Sequence, residues 1–321
     1  MRMAAARDRI KLIGTLVTLA LGFGWPTNGG GQTGSITNLY DAFGKAVPGT
    51  HFAWGYSALI RFGDKTILFD AGGDANQFAQ NVKALGIDLR SIDYAVLSHR
   101  HGDHASGFDY VFTVNPSLKL YAPDDLMLGG GAGLTLPAVP RDLVQILSPE
   151  LRYFPGEEKP TSGPWGSRFW HANVEFTKAN KQIAPDVFLI ATTSPLMGDF
   201  FRAHATDEPT VRGFPELSLA LVTSKGVVVV SGCSHSGVEV IVAESKKATG
   251  KNINLVSGGF HLLPNSEADI QRLGRVLKEQ LGVQRVAPAH CTGMLAFKVL
   301  RELYGREFVP AGLGTTVAFT P

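Results

Sequence analysis

Apolar and polar positions along this chain follow two periods that take turns from Tyr56 onward. Residues 56–62 and 65–70 are rich in β-branched and aromatic side chains, and Gly63 with Asp64 between them is a two-residue hairpin signal. Asp74 then stands as an N-cap before Phe78, Val82 and Leu85, spaced i, i+4 and i+7 as on the buried face of a helix. Gly86 follows where a helix stop calls for positive φ. A short apolar strand at 94–98 comes next. Strand patterns return at 187–192, 217–223 and 227–231, the last two joined by a turn at Lys225 and Gly226, and again at 253–257 and 285–289. A helix follows Gly237. A second, opened by the capping box of Ser266 and Asp269, carries Ile270, Leu273, Val276, Leu277 and Leu281 and stops at Gly282. Strands and helices in alternation predict an α/β domain. Residues 123–164, with a GGG run and several prolines, read as long loops of the kind that often serve as lids, with a short helix near 141–147.

The beginning of the chain has another character. Arg2, Arg7, Arg9 and Lys11 precede an uncharged run at 12–23, the layout of a secretory signal, and 26–34 reads as a flexible linker. The run is shorter than the roughly 20 apolar residues that span a bilayer. The expectation is a leader at 1–34 and one catalytic domain at 35–321, exported to the periplasm or medium with no stable membrane span after processing. Membrane anchoring and a cytoplasmic location are the alternatives. With 30 basic against 28 acidic residues in 321, the net charge of +2 gives no footprint for nucleic acid, so the expected partner is a small-molecule substrate. The two cysteines, Cys233 and Cys291, are too few for a disulfide framework, and each lies beside a histidine. They read as site-associated thiols, whose pairing would need Cα atoms within about 7 Å.

Chemistry concentrates immediately after the strand at 94–98. In SHRHGDHASG, residues 98–107, His99, His101, Asp103 and His104 fall within six positions. Neutral imidazole and carboxylate together suit Zn²⁺, and also iron or manganese. Asp103 and His104 point elsewhere than His99 and His101, so two ions are the natural solution. Asp70, at the end of an apolar strand, is placed to orient a ligand histidine from behind. His261, after Gly258 and Gly259 at a strand end, is a candidate for substrate or metal. His290 sits at the tip of the last predicted strand. Arg100 meets either an anionic substrate or solvent, Cys291 reads as packing, and His51, His171 and His204 lack any partner spacing.

HRHGDH resembles the H-x-H-x-D-H signature of the metallo-β-lactamase superfamily. LFDAGG at 68–73, LSH before the cluster, and VVVVSGCSH, SGGFHLL and VAPAHCTG downstream follow in the order that family shows. GCSHSG, GGFHL and PAHCTG resemble the branch named after a 7,8-dihydropterin-6-methyl-4-(β-D-ribofuranosyl)aminobenzene-5′-phosphate synthase, and depart from what drug-degrading β-lactamases usually carry. The resemblance implies a four-layer αββα sandwich with a dinuclear site at one edge of its two sheets. It assigns His99 and His101 to a first ion, and Asp103, His104 and His290 to a second. The histidine that most relatives place upstream of the 217–231 hairpin is missing from VRGFPE. His235 is the substitute, with Glu216 as the other candidate, and Cys233 stands where many relatives have an aspartate bridging the ions.

The cofactors so implied are two divalent metal ions, zinc first. The implied activity is hydrolysis of an ester, lactone, amide or phosphoester, with Asp103 and His261 as the catalytic candidates. The alternatives are a pterin-pathway synthase-like enzyme, a metal-dependent binding protein without turnover, and redox chemistry at a di-iron site.

Overall fold

The computed structural model describes residues 34–125, 172–194 and 213–320, with Leu128, Gln145, Ile146, Ser148 and Phe169 between them. The leader, most of the long-loop region, His171 and His204 lie outside the described residues.

Two mixed sheets carry the fold. The first has seven strands in the order β13-β1-β2-β3-β4-β5-β6. They run β1 Gly34–Tyr40, β2 Ser57–Phe62, β3 Lys65–Phe69, β4 Tyr94–Val96, β5 Lys119–Pro123, β6 Asn173–Thr177 and β13 Thr316–Phe319. The second has six strands in the order β12-β11-β10-β9-β8-β7. These are β7 Lys181–Ala184, β8 Val187–Ser194, β9 Phe214–Thr223, β10 Gly226–Ser231, β11 Ile253–Gly259 and β12 Arg285–Ala289. Hairpins build the antiparallel part of each sheet. The pairs β3-β4-β5-β6 and β10-β11-β12 are parallel, so their carboxyl ends, where ligand loops begin, lie together along one edge.

Period-2 alternation decides which side chain enters which layer. On β2, Ala58, Ile60 and Phe62 face the other sheet, where they meet Leu219, Val228, Val230 and Leu255. Their neighbour Leu59 turns outward with Leu68 onto α1 (Ala75–Ala84) and α3 (Phe108–Val114), through Phe78, Val82, Phe108 and Val111. On β10, Val227 and Val229 face α4 (Val238–Thr249), α5 (Glu267–Arg275) and α6 (Met294–Tyr304), meeting Ile241, Ile270, Leu273 and Val299. Helix, sheet, sheet and helix are stacked as the four-layer expectation required. Burial of apolar area on both faces of each sheet, at about 25 cal/mol per Å², is the driving force.

The observed elements refine several predicted ones. Asp74 caps α1 through its side chain, which accepts from Gln77 N, and Ser266 caps α5 by accepting from Asp269 N. The helix expected to run to Leu281 passes at Val276–Gln280 into a π-helical turn before Gly282, whose φ is +70°. β1, β5, β6, β7 and β13 carried no assigned strand signal. Three of them, β13, β6 and β7, lie at sheet edges, where partial exposure weakens alternation.

Candidate metal centre

The ligand loops leave the carboxyl ends of strands in both sheets. β4 leads to His99 and His101, after which the short helix α2, Gly102–Ala105, carries Asp103 and His104. β10 leads to Cys233 and His235, β11 to His261, and β12 to His290 and Cys291. Five non-glycine residues among those described have positive φ; Ser234 (62°), His261 (52°) and His290 (45°) are in these loops, and Asp70 (57°) directly follows β3 behind them. Left-handed backbone costs roughly 1–2 kcal/mol per residue. It persists where the surrounding structure over-determines it, which is commonest at functional sites.

The donors sort into the sets that the motif suggested. His99, His101 and His235 offer ligand atoms within 4.8 Å of one another, as do Asp103, His104 and His290. His99 Nε2 faces His101 Nδ1 at 3.2 Å, and His104 Nε2 faces His290 Nε2 at 3.2 Å. Cys233 Sγ lies 3.1 Å from His104 Nε2 and groups with His99 and His104, between the two sets. Asp103 Oδ2 is 3.4 Å from His290 Nε2 and 3.7 Å from His104 Nε2.

Hydrogen bonds behind the rings select the tautomers. Asp70 is fully buried; its Oδ1 accepts from Ser98 N at 2.7 Å, and its Oδ2 accepts from Ser98 Oγ at 2.7 Å and from His104 Nδ1 at 2.7 Å. His104 Nδ1 therefore donates to Asp70, and Nε2 is the atom aimed at the centre. With the Ser98 hydroxyl donating to Asp70, its oxygen is left to accept from His99 Nδ1 at 2.8 Å, which bares His99 Nε2. Gly232 permits this packing, because a Cβ there would lie 2.1 Å from Ser98 Oγ and 3.0 Å from Asp70 Oδ2.

Two further buried carboxylates hold the other loops. Glu216 Oε1 accepts from His235 N at 2.8 Å, while Oε2 accepts from Ser236 N at 2.8 Å and Ser236 Oγ at 2.9 Å. Glu216 is thus not a stand-in for the missing upstream ligand: both its oxygens are taken by the loop that presents His235. Asp41 Oδ2 accepts from His290 N at 3.1 Å and from Asn38 Nδ2 at 2.9 Å. Asp41 escaped the sequence reading, because it follows a strand with no clear signal and its partner is 249 residues away. Arg100 also departs from expectation. Its guanidinium is mostly buried, donates to Asp125 Oδ2 at 2.6 Å and lies over the Phe214 ring, so it does not face open solvent. His51 is exposed, and its backbone N and O pair with the Asn81 side chain.

Electrostatics suit cation binding. Burial pushes His99, His101 and His235 down, with help from neighbouring imidazoles, His101 to about 4 and His235 to about 2. All three are held in the neutral form that ligates metal. Burial opposes charge on His104 too, but Asp103 and Asp70 override it and raise its pKa to about 9, so without an ion its Nε2 is protonated as well and a bound cation must displace that proton. Burial would raise Asp103, yet His104 and His290 outweigh it and keep the carboxyl well below its usual range. Desolvation pushes Asp41 up to about 6 and raises Glu216. Burial raises the Cys233 thiol. Both ring nitrogens of His235 are buried without a hydrogen-bond partner. An orphaned imidazole facing two others is costly as packing and is satisfied by a shared cation, so the donor set fits metal.

A model of the metallo-beta-lactamase superfamily matches residues 55–246. A curated protein of Methanocaldococcus jannaschii, named 7,8-dihydropterin-6-methyl-4-(beta-D-ribofuranosyl)-aminobenzene-5′-phosphate synthase, is 30% identical over 274 residues, 79% of this chain and 85% of that protein. A second protein of the same organism, uncharacterized, is 28% identical over 82% of this chain and 92% of its own length. Among solved structures, a metal-dependent hydrolase of the beta-lactamase superfamily superposes with a TM-score of 0.63 at 22% identity, covering 90% of this chain and 100% of the other.

Proposed function

Because the chain belongs to the metallo-β-lactamase superfamily, we propose that its ligand cluster holds two divalent ions and that the protein is a metal-dependent hydrolase of a small molecule. The observation that carries this reading is the convergence of His99, His101 and His235 on one side of Cys233 and of Asp103, His104 and His290 on the other. Divalent ions held there, zinc first, would supply Lewis acidity toward a substrate oxygen and a water near neutral pH.

The chain's own residues do the rest. Asp70, Glu216 and Asp41 each grip one ligand loop, so the donors are ordered before any ion arrives. Asp103 has the one carboxylate of the cluster with a partly exposed side chain, at 23%. Its Oδ atoms are the place where a proton is taken up and passed to a leaving group. His261, 6% exposed with its ring centroid 4.4 Å from that of His235, stands at the border of the cluster, beside the first-ion ligands. A synthase-like reaction on a pterin substrate is the second reading, favoured by the printed name of the 30% identical relative.

We assign an export leader to the residues before Gly34, which opens β1, and the catalytic domain to the rest, one residue earlier than the expected boundary, on the basic and apolar layout of the first 23 residues. Among the described residues no helix is long and apolar enough to cross a membrane. The test of function is metal analysis with a panel of ester, lactone, amide, phosphodiester and dihydropterin substrates, on the parent and His101→Ala. Hydrolysis that disappears with metal in His101→Ala is expected. Bound metal with no turnover of any substrate would favour a binding protein, and turnover of the pterin substrate alone would favour the synthase.

A further inference from the structure

Beside the two-ion donor sets lies a third that the proposed reaction leaves unused. Cys233, His261 and Cys291 offer ligand atoms within 4.8 Å of one another, and all three are buried. Their placement follows a rule of the sheet. β10 ends at Ser231, β11 at Gly259 and β12 at Ala289, so each donor stands two residues beyond the end of its strand. These strands are neighbours and parallel, with Ser231 paired to Gly258 and Gly259 paired to Ala289. Adjacent parallel strands lie about 4.8 Å apart; His261 and Cys291 are level across β11 and β12, and Cys233 is one register step behind on β10, which brings the three donors together at one sheet end.

The space around them is shaped for sulfur. A Cβ at Gly259 would lie 2.8 Å from Cys291 Sγ and 3.3 Å from the Cys233 Cα, so the thiol occupies room that only glycine leaves. Both cysteines are free, and Cys291 Sγ lies 3.6 Å from the Cys233 carbonyl oxygen. The ring of His235, with centroids 4.4 Å from His261 and 4.8 Å from His101, marks the border with the first-ion ligands. The chemistry of this set differs from its neighbours: two sulfurs and an imidazole, with no carboxylate. Such donors select thiophilic ions over oxygen-preferring ones.

We propose that Cys233, His261 and Cys291 form a third metal site, for a thiophilic divalent ion such as zinc, contiguous with the two-ion centre through the Cys233 sulfur. Thiolate sulfur has lone pairs enough to touch ions on both sides, and tetrahedral ions accept this mixture of sulfur and nitrogen.

Cobalt(II) is the probe, titrated into reduced, metal-stripped full-length protein, because thiolate-to-cobalt charge transfer absorbs in the near ultraviolet and imidazole or carboxylate ligation does not. The parent is expected to take up one equivalent beyond those of the two-ion centre, with a rise in this absorption on that last step. Cys291→Ser and His261→Gln should each lose the last equivalent and its absorption while keeping the earlier ones. His101→Ala should lose an earlier equivalent and keep the last. A parent that shows no additional thiolate absorption at saturation overturns the third site, as do both variants matching the parent in stoichiometry and spectrum. If Cys291→Ser does not fold, His261→Gln decides alone. Failure of His101→Ala to lose any ion would instead overturn the two-ion reading and leave the sulfur site standing.

Discussion

Replacing Glu216 with alanine should damage both the fold and the first-ion site, by an amount its hydrogen bonds allow to be worked out. The carboxylate is 3% exposed and accepts from His235 N, Ser236 N and Ser236 Oγ, all at 2.8–2.9 Å. Alanine removes every acceptor at once. The Ser236 hydroxyl can turn to water, but two backbone N–H groups lose their partner, at about 1–3 kcal/mol each. Because this loop is half-buried, the lower part of that range applies, a loss of about 2–4 kcal/mol. Glutamine keeps one oxygen and sets an NH₂ against a donor, so its loss should be about half as large. The same change frees His235, and removing a group that orients a ligand typically costs 10–100-fold in metal affinity. Urea denaturation of the metal-stripped protein reads the first effect, and competition with a metal-sensitive dye reads the second. An alanine variant within about 0.5 kcal/mol of the parent, the usual range for innocuous surface changes, with undiminished metal affinity, would refute the assignment of Glu216 as the residue that positions His235.

Three other outcomes are expected. Cys233→Asp should retain more metal than Cys233→Ser, because a carboxylate spans two ions about 3.5–4 Å apart and a hydroxyl must first ionise; the reverse order, with aspartate unfolding the protein at a cost of several kcal/mol, would show a thiol that only packs. Gly259→Ala puts a Cβ 2.3 Å from the Gly232 carbonyl oxygen and 2.8 Å from Cys291 Sγ, so it should destabilise by about 1–3 kcal/mol, and an unchanged thermal midpoint would show that the sheet yields there at no cost. Protein recovered from its native host should lack the leader by intact-mass measurement, and a mass beginning at Met1 in a soluble cytoplasmic fraction would reverse the export proposal.

The sequence by itself determined much of this molecule. The capping pairs at Asp74 and Ser266, the valine-rich β10 and the helix after Gly237 were all legible, because they are local: each depends on residues within one turn or one strand. His99, His101, Asp103 and His104 were legible for the same reason, packed into six positions after a strand. What only the tertiary structure decided is long-range. That His235, from the second sheet, closes a triad with His99 and His101 depends on two sheets stacking face to face with their ligand-bearing edges aligned. That Glu216 and Asp41 hold ligand loops depends on partners 19 and 249 residues away. Arg100 looked available in one dimension, and Asp125 claims it in three. Cys291 read as packing, since nothing along the chain reveals that three neighbouring strands end within one register step of each other and bring two sulfurs to one imidazole. A periodic pattern records which face of an element is buried, whereas a site is a meeting of loop ends, and the spacing of loop ends is set by how sheets register and stack.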